Sequence, residues 1–291
     1  TGPITPKGMA LIPAGPFRMG DSLNDTPIFA GMLPVHTVDL SAFYIDQFEV
    51  TKELWIGVYR WALTNRYSFD NAGQGKGLKH PVHSINWYDA IKWCNARSEM
   101  EGRIPAYYDS ADQTTVYRSG QLDREEGAVR WNAGFHLPTE AEWEKAARGG
   151  LEGRRFPWGD SITHAQANYT SSSGPSFDVS PTRGAHPSYI TGGVPYTSPV
   201  GSFAPNAYGL HDMAGNVWEW CWDRFDSSYY GSSPLNDPRG PDSGLNRVVR
   251  GGSWYHFAIN SIAASKILVP PDLDGGRNWA GFRSVLPLAQ R

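Results

Sequence analysis

Two cysteines, Cys94 and Cys221, are all the thiols in 291 residues. Their scarcity excludes a disulfide scaffold and a thiolate zinc cluster, leaving at most one bridge. Both lie beside tryptophans, in WCN and WCWD, where a buried, inert side chain is the expected role. An excess of either charge is missing as well. The formal net charge is −3 and the lysines and arginines are scattered, so no phosphate-tracking surface is predicted and nucleic acid is not an expected partner. No stretch approaches the roughly 18 consecutive apolar residues of a membrane span, and no charged-then-apolar leader opens the chain. Because it starts on Thr1 rather than Met, either a leader has been removed or the chain was trimmed; the expectation is a removed signal or lipoprotein leader, a lipid anchor on the precursor being compatible with it, and work at the cell surface or after secretion. Internal repeats and linkers of domain-boundary composition are also missing.

Aromatic residues are plentiful: 12 Trp, 14 Tyr and 12 Phe provide apolar area, while 32 Gly and 22 Pro cut the chain into short elements. The expectation is an α+β fold rich in irregular loops, with a flexible segment 1–8 and one domain over 9–291. MALIPAGPFRMGDS reads as two short strands around Pro13, Gly15 and Pro16. Thr51 caps a helix in which Leu54, Val58 and Trp61 share a face. Asn86 with Asp89 opens a second helix carrying Trp87, Ala90, Ile91 and Cys94 on one stripe. Thr139 and Glu142 have capping-box spacing, Trp143, Ala146 and Ala147 face inward, and Gly149 stops the turn. From Leu151 to about Val200 a Ser-, Gly- and Pro-rich stretch predicts loops. RVVRGGSW and GFRSVLP read as late strands.

These pieces, with IPAGPFRMG, FYIDQFEVT, PVHSINWYDAIKWC, FHLPTEAEWEKAARGG, RFPWGD and PVGSFAPNAYGLHDMAGNVWEW, occur in an order that resembles the formylglycine-generating-enzyme and sulfatase-modifying-factor family. The resemblance spans nearly the whole chain and implies a C-type lectin fold of the formylglycine-generating-enzyme type. The enzyme holds copper with two cysteines just after the GGSW strand, where soft thiolates suit Cu(I). The matching positions here are His256 and Ser261, so no copper and no formylglycine-generating activity are expected. In a second, iron-dependent branch the histidine ligands come largely from an additional helical domain that has no counterpart here. His80 and His83, in HPVH, are separated by a Pro-containing turn unsuited to facial metal ligation.

In GLHDMAGNVWEW, Asp212, Gly215, Val217 and Glu219 bring two carboxylates and intervening carbonyls together. Hard oxygens suit Ca²⁺, and the resemblance implies a structural calcium at these positions. The other reading is that both acids only hydrogen-bond the backbone of the turn. The family's second calcium site would use Asn168 and the Tyr169 carbonyl, but its acidic ligand falls near Gly192.

Between Trp254 and Phe282 neither strand alternation nor a helical stripe is seen. An apolar mixture in a Gly- and Pro-bearing loop on a rigid scaffold reads as an exposed binding surface. The framed, motley insert is similar to the variable proteins of diversity-generating retroelements, in which adenine-directed mutagenesis rewrites AAC or AAT codons. Such codons never yield Glu, Gln, Met, Lys or Trp, and every residue from Tyr255 to Asn278 except Lys266 belongs to the reachable set. The resemblance makes segment 255–278 a diversified site. Its contacts are Tyr255, His256, Phe257, Ile259, Asn260, Ile262, Ser265, Ile267, Leu268, Val269, Asp272, Leu273, Asp274, Gly276 and Asn278, with Lys266 and Trp279 as framework. The expected function is non-catalytic, receptor- or adhesin-like binding of a protein or cell-surface ligand by a monomer. The alternative is an oxidative or metal-dependent enzyme without the cysteine pair, using His256, Asp274 or Arg277. A sugar-binding lectin is suggested by fold analogy alone.

Overall fold

The helices begin where the sequence offers an oxygen. The computed structural model describes residues 5–24, 31–273 and 278–288; Asp274, Gly276 and Arg277, named above, lie outside them. Thr51 accepts the Leu54 N–H at the start of α1 (Lys52–Thr64). Full capping boxes open α2 (Trp87–Met100), with Asn86 and Asp89, and α3 (Glu140–Arg148), with Thr139 and Glu142. Each box satisfies two N–H groups that the first turn leaves free. Gly149, left-handed at φ 57°, ends α3.

Eleven short strands are formed by the described residues: β1 (Met9–Ile12), β2 (Gly15–Met19), β3 (His36–Leu40), β4 (Phe43–Asp46), β5 (Ile190–Thr191), β6 (Val194–Pro195), β7 (Trp218–Arg224), β8 (Arg247–Arg250), β9 (Lys266–Val269), β10 (Ala280–Gly281) and β11 (Val285–Pro287). They make sheets β1-β4-β11, β2-β3, β5-β6 and β10-β7-β8-β9. All pairs are antiparallel except β10 with β7. The architecture is mixed α and β with long irregular stretches, as expected, and β5-β6 is a two-residue hairpin inside the predicted loop region.

Two expectations need correction. On α1 the buried face is Trp55, Val58 and Ala62, whereas Leu54 is exposed. Trp55 wins the inward position because its ring stacks parallel to Trp93 of α2 at 6.0 Å, with Phe282 edge-on to both. The supposedly irregular segment 255–278 also contains β9 and a 3-10 turn, Ala258–Ser261. β9 pairs with β8 in the register Arg247↔Val269, Val248↔Leu268, Val249↔Ile267, Arg250↔Lys266. Apolar alternation could not reveal this strand, because the inward position at one end is a lysine.

That lysine has partners. Lys266 and Arg250 are adjacent across the two strands and buried, and α3 meets them with Glu140 and Glu144, one helical turn apart on the same face. Lys266 Nζ lies 2.9 Å from Glu140 Oε1, Arg250 pairs with Glu144, and Arg148 adds a 2.7 Å bridge to Glu144. The Tyr230 hydroxyl donates to Glu140 at 3.0 Å. The charges are thus compensated before they are buried, as an interior site demands.

His136 ties the approach to α3 onto β11 through reciprocal backbone bonds with Val285 of 2.9 and 2.8 Å. Its ring is buried, with Nδ1 donating to the Leu137 carbonyl at 2.8 Å. Burial pushes the imidazole down to about 4 from 6.5. Below pH 6.5 the unfolded chain therefore binds a proton that the folded chain refuses, so stability falls as pH drops from about 6.5 to 4. For His136 alone the loss should reach roughly 3 kcal/mol. Urea unfolding at several pH values should show a shallower acid-side slope in His136→Asn than in the parent; an unchanged slope would show that the group does not titrate as described.

Candidate binding site

The turn after β8 fixes how the segment leaves the sheet. Gly252 sits at φ 78°, and a Cβ there would meet the Ser261 Oγ at 2.5 Å, so the chain returns tightly against its own later course. Trp254 N–H donates to the Asn216 carbonyl at 2.9 Å. Thr170 holds the next residues from outside: its N–H bonds the His256 carbonyl at 2.9 Å, and its hydroxyl lies 3.2 Å from the carbonyls of Trp254 and Tyr255.

His256, at the first position of the family's thiol pair, is locked in an aromatic frame. The Trp218 indole N–H donates to its Nδ1 at 3.1 Å, and Ser253 Oγ lies 2.7 Å from the same nitrogen. Trp218 and Trp279 stand edge-on to its ring at 5.6 and 5.5 Å. An indole only donates, so Nδ1 acts as an acceptor. Ser261, at the second position, is buried, and its hydroxyl makes no hydrogen bond. One imidazole and one buried alcohol do not reproduce a soft two-sulfur site.

The expected contact residues divide sharply. Tyr255 (62% exposed), Phe257 (51%) and Leu268 (47%) present large apolar surfaces, and Asp272 and Asn278 are exposed too. His256, Ile259, Ile267 and Leu273 are half-buried. Asn260, Ile262, Ser265 and Val269 are buried, which corrects the expectation of partial exposure for these four. Ile262 packs with Phe156, Ile162 and Tyr169, and Val269 joins the tryptophan core.

The acidic segment is likewise built differently from its expectation. Glu219 accepts from Arg283 through both oxygens, at 2.7 and 2.8 Å, and from the Trp143 indole at 2.8 Å. Of the expected ligand side chains only Asp212 keeps an unpartnered oxygen, Oδ1; its Oδ2 accepts the Gly201 N–H at 2.7 Å. Among the described residues no group of three His, Cys, Asp or Glu side chains is placed to hold a metal ion. Both carboxylates of the expected Ca²⁺ set are buried, Glu219 engaged by Arg283 and Trp143 and Asp212 keeping Oδ1 without a partner among the described residues. Glu49, unflagged in the sequence, joins them. It accepts from Asn216 Nδ2 at 2.5 Å and from Val217 N–H at 3.1 Å. Burial, then the charges of Asp212 and Glu219, push Glu49 well above the usual carboxylate range, and burial pushes Asp212 up to about 6. The available signal was an acid set directly between two apolar residues, Phe48 and Val50.

The remaining candidates are structural. His80 Nδ1 lies 2.9 Å from Thr197 Oγ1, and His83 Nδ1 lies 3.0 Å from Ser84 Oγ. The Tyr169 carbonyl lies 3.1 Å from His164 Nε2, and Asn168 Nδ2 donates to the Tyr196 carbonyl at 3.0 Å. Cys94 and Cys221 are free and buried, and burial raises both thiols well above their usual range.

Residues 2–288 match the sulfatase-modifying factor enzyme 1-like domain. The formylglycine-generating enzyme of Streptomyces coelicolor is 35% identical, over 97% of this chain and 90% of that protein. Among solved structures, Treponema denticola variable protein 1 superposes with a TM-score of 0.71 at 31% identity, covering 96% of this chain and 95% of that one. PvdO from Pseudomonas aeruginosa, at 24% identity and a TM-score of 0.69 over 96% of this chain and 94% of that one, shares the fold.

The exposure pattern separates contact from support within one segment. Tyr255→Ser, Phe257→Ser and Leu268→Asn combined should change stability by less than about 1 kcal/mol. Ile262→Ala alone should cost roughly 2–5 kcal/mol by leaving a cavity. Urea unfolding of both variants checks this; unfolding of the triple variant would make the segment core rather than surface.

Proposed function

The chain belongs to the sulfatase-modifying factor family, and we propose that this member is a non-catalytic binding protein, receptor- or adhesin-like, displayed at the cell surface or secreted. Its contact surface is segment 255–278, diversified by a retroelement. The observation that carries the reading is the contrast at one place in the fold. His256 and Ser261 stand at the positions where the enzyme's copper thiols are expected, while Tyr255, Phe257 and Leu268 project from a frame fixed by Trp218, Thr170 and the α3 charges. Large aromatic contacts on a rigid support lose little conformational entropy on binding. Similarity to a variable protein of the same fold agrees with it.

The gene supplies the direct test. Sequencing its 3′ end and flanking DNA should reveal a near-copy of the codons for residues 255–278 that differs mainly at adenines, beside a reverse-transcriptase gene. Absence of any such copy from the complete source genome would defeat the diversified reading.

A second reading, an oxidative or metal-dependent enzyme, draws on the 35% identity to a formylglycine-generating enzyme. It predicts copper or iron at one equivalent per chain after purification, and oxygen uptake with a cysteine-containing peptide. Our reading predicts neither, by elemental analysis and oxygen electrode.

A further inference from the structure

A cavity of about 200 Å³ opens beside β4, β11 and the start of α3, with none of the described residues of segment 255–278 in its wall. Trp131, His136, Glu142, Asp237 and Arg239 line it together with Phe43. It is smaller than the roughly 300–1,000 Å³ of sites for drug-sized ligands, which limits an occupant to a small metabolite.

Two of its charges have bonding capacity to spare. The Arg239 guanidinium lies over the Trp131 ring at 4.5 Å and gives one terminal nitrogen to Glu126 at 2.6 Å. Among the described residues its Nε and other terminal nitrogen make no hydrogen bond. Glu142 accepts the Thr139 N–H through Oε2 at 2.8 Å, and among the described residues no hydrogen bond to its Oε1 is formed; burial pushes its carboxyl up to about 7, so a ligand cation beside it would draw it into the ionised form. Although both line one cavity, Arg239 and Glu142 do not pair with each other; the arginine's ion pair is with Glu126. Asp237 adds a second carboxylate, each of whose oxygens already accepts one hydrogen bond from Ser41 at 2.8 Å. His136, held down to about 4, is neutral.

Each single-charge ligand leaves one side of this arrangement unmet. An anion alone would face Glu142 and Asp237, and a cation alone would leave the Arg239 donors unused. Charge-assisted bonds at both ends need a ligand that carries both signs a short distance apart. We propose that this cavity binds a small zwitterion, a free α-amino acid, with its carboxylate on Arg239 and its ammonium on Glu142, Asp237 lying behind. The site is separate from segment 255–278 and does not depend on the function proposed for it.

Thermal-shift and calorimetric titrations of the full chain with each of the twenty amino acids, acetate and ethylammonium test the assignment. At millimolar concentration at least one small amino acid should raise the melting temperature, and neither half-ligand should. Glu142→Gln keeps an acceptor for the Thr139 N–H, because glutamine also serves at this place in a capping box, and it should weaken binding about tenfold or more. Arg239→Met, which retains a side chain over Trp131, should do the same. Binding of ethylammonium as tightly as of the amino acid, unchanged affinity in both variants, or no shift with any amino acid would overturn the proposal.

Discussion

Four buried charges hold the frame on which the rest of this molecule depends. Arg250 and Lys266 sit side by side on β8 and β9, and Glu140 and Glu144 answer them from consecutive turns of α3. Removing one partner would strand a charge inside the protein at a cost of about 3–5 kcal/mol. The two cations also bracket residues 251–265, so the pairing that stabilises the sheet fixes both ends of the segment between them. On the other flank Arg283 performs the same service for β7 by gripping Glu219.

Within that bracket, the side chains facing inward and those facing solvent answer to different physics. Ala258, Ile262 and Ala264 fill a small apolar cluster with Phe156 and Tyr169, where volume is tightly constrained. Tyr255 and Phe257 lie outside that cluster: the Tyr255 ring stands edge-on to Trp254 and His256 and its carbonyl accepts from Thr170, while the Phe257 carbonyl accepts the Asn260 N–H. Their exposed side chains are therefore little constrained by the packing of the core. His256 lies between these regimes, its acceptor nitrogen engaged by Trp218.

The local signals in the sequence proved easiest to interpret. Thr51, Asn86 with Asp89, and Thr139 with Glu142 each declare a helix start through chemistry confined to four residues. Signals that depend on tertiary pairing were harder. The inward face of α1 turned on Trp55 finding Trp93, a partner 38 residues away, and β9 was hidden by Lys266, whose burial makes sense only once Glu140 is in place. Tyr255, Phe257 and Leu268 could be recognised as surface, but Ile262 and Val269 could not be separated from them by composition. Glu49 stood apart from the GLHDMAGNVWEW segment in sequence, and only folding brings it to Asn216 and Val217.

β9 is also the edge of its sheet, and an edge carrying exposed Leu268 invites pairing with another chain. Here Lys266 acts as a register lock. A slip of one residue would turn every side chain to the opposite face, pulling the ammonium away from Glu140. The alignment of β9 therefore does not rest on its apolar side chains alone, because a single inward charge is satisfied in one register only.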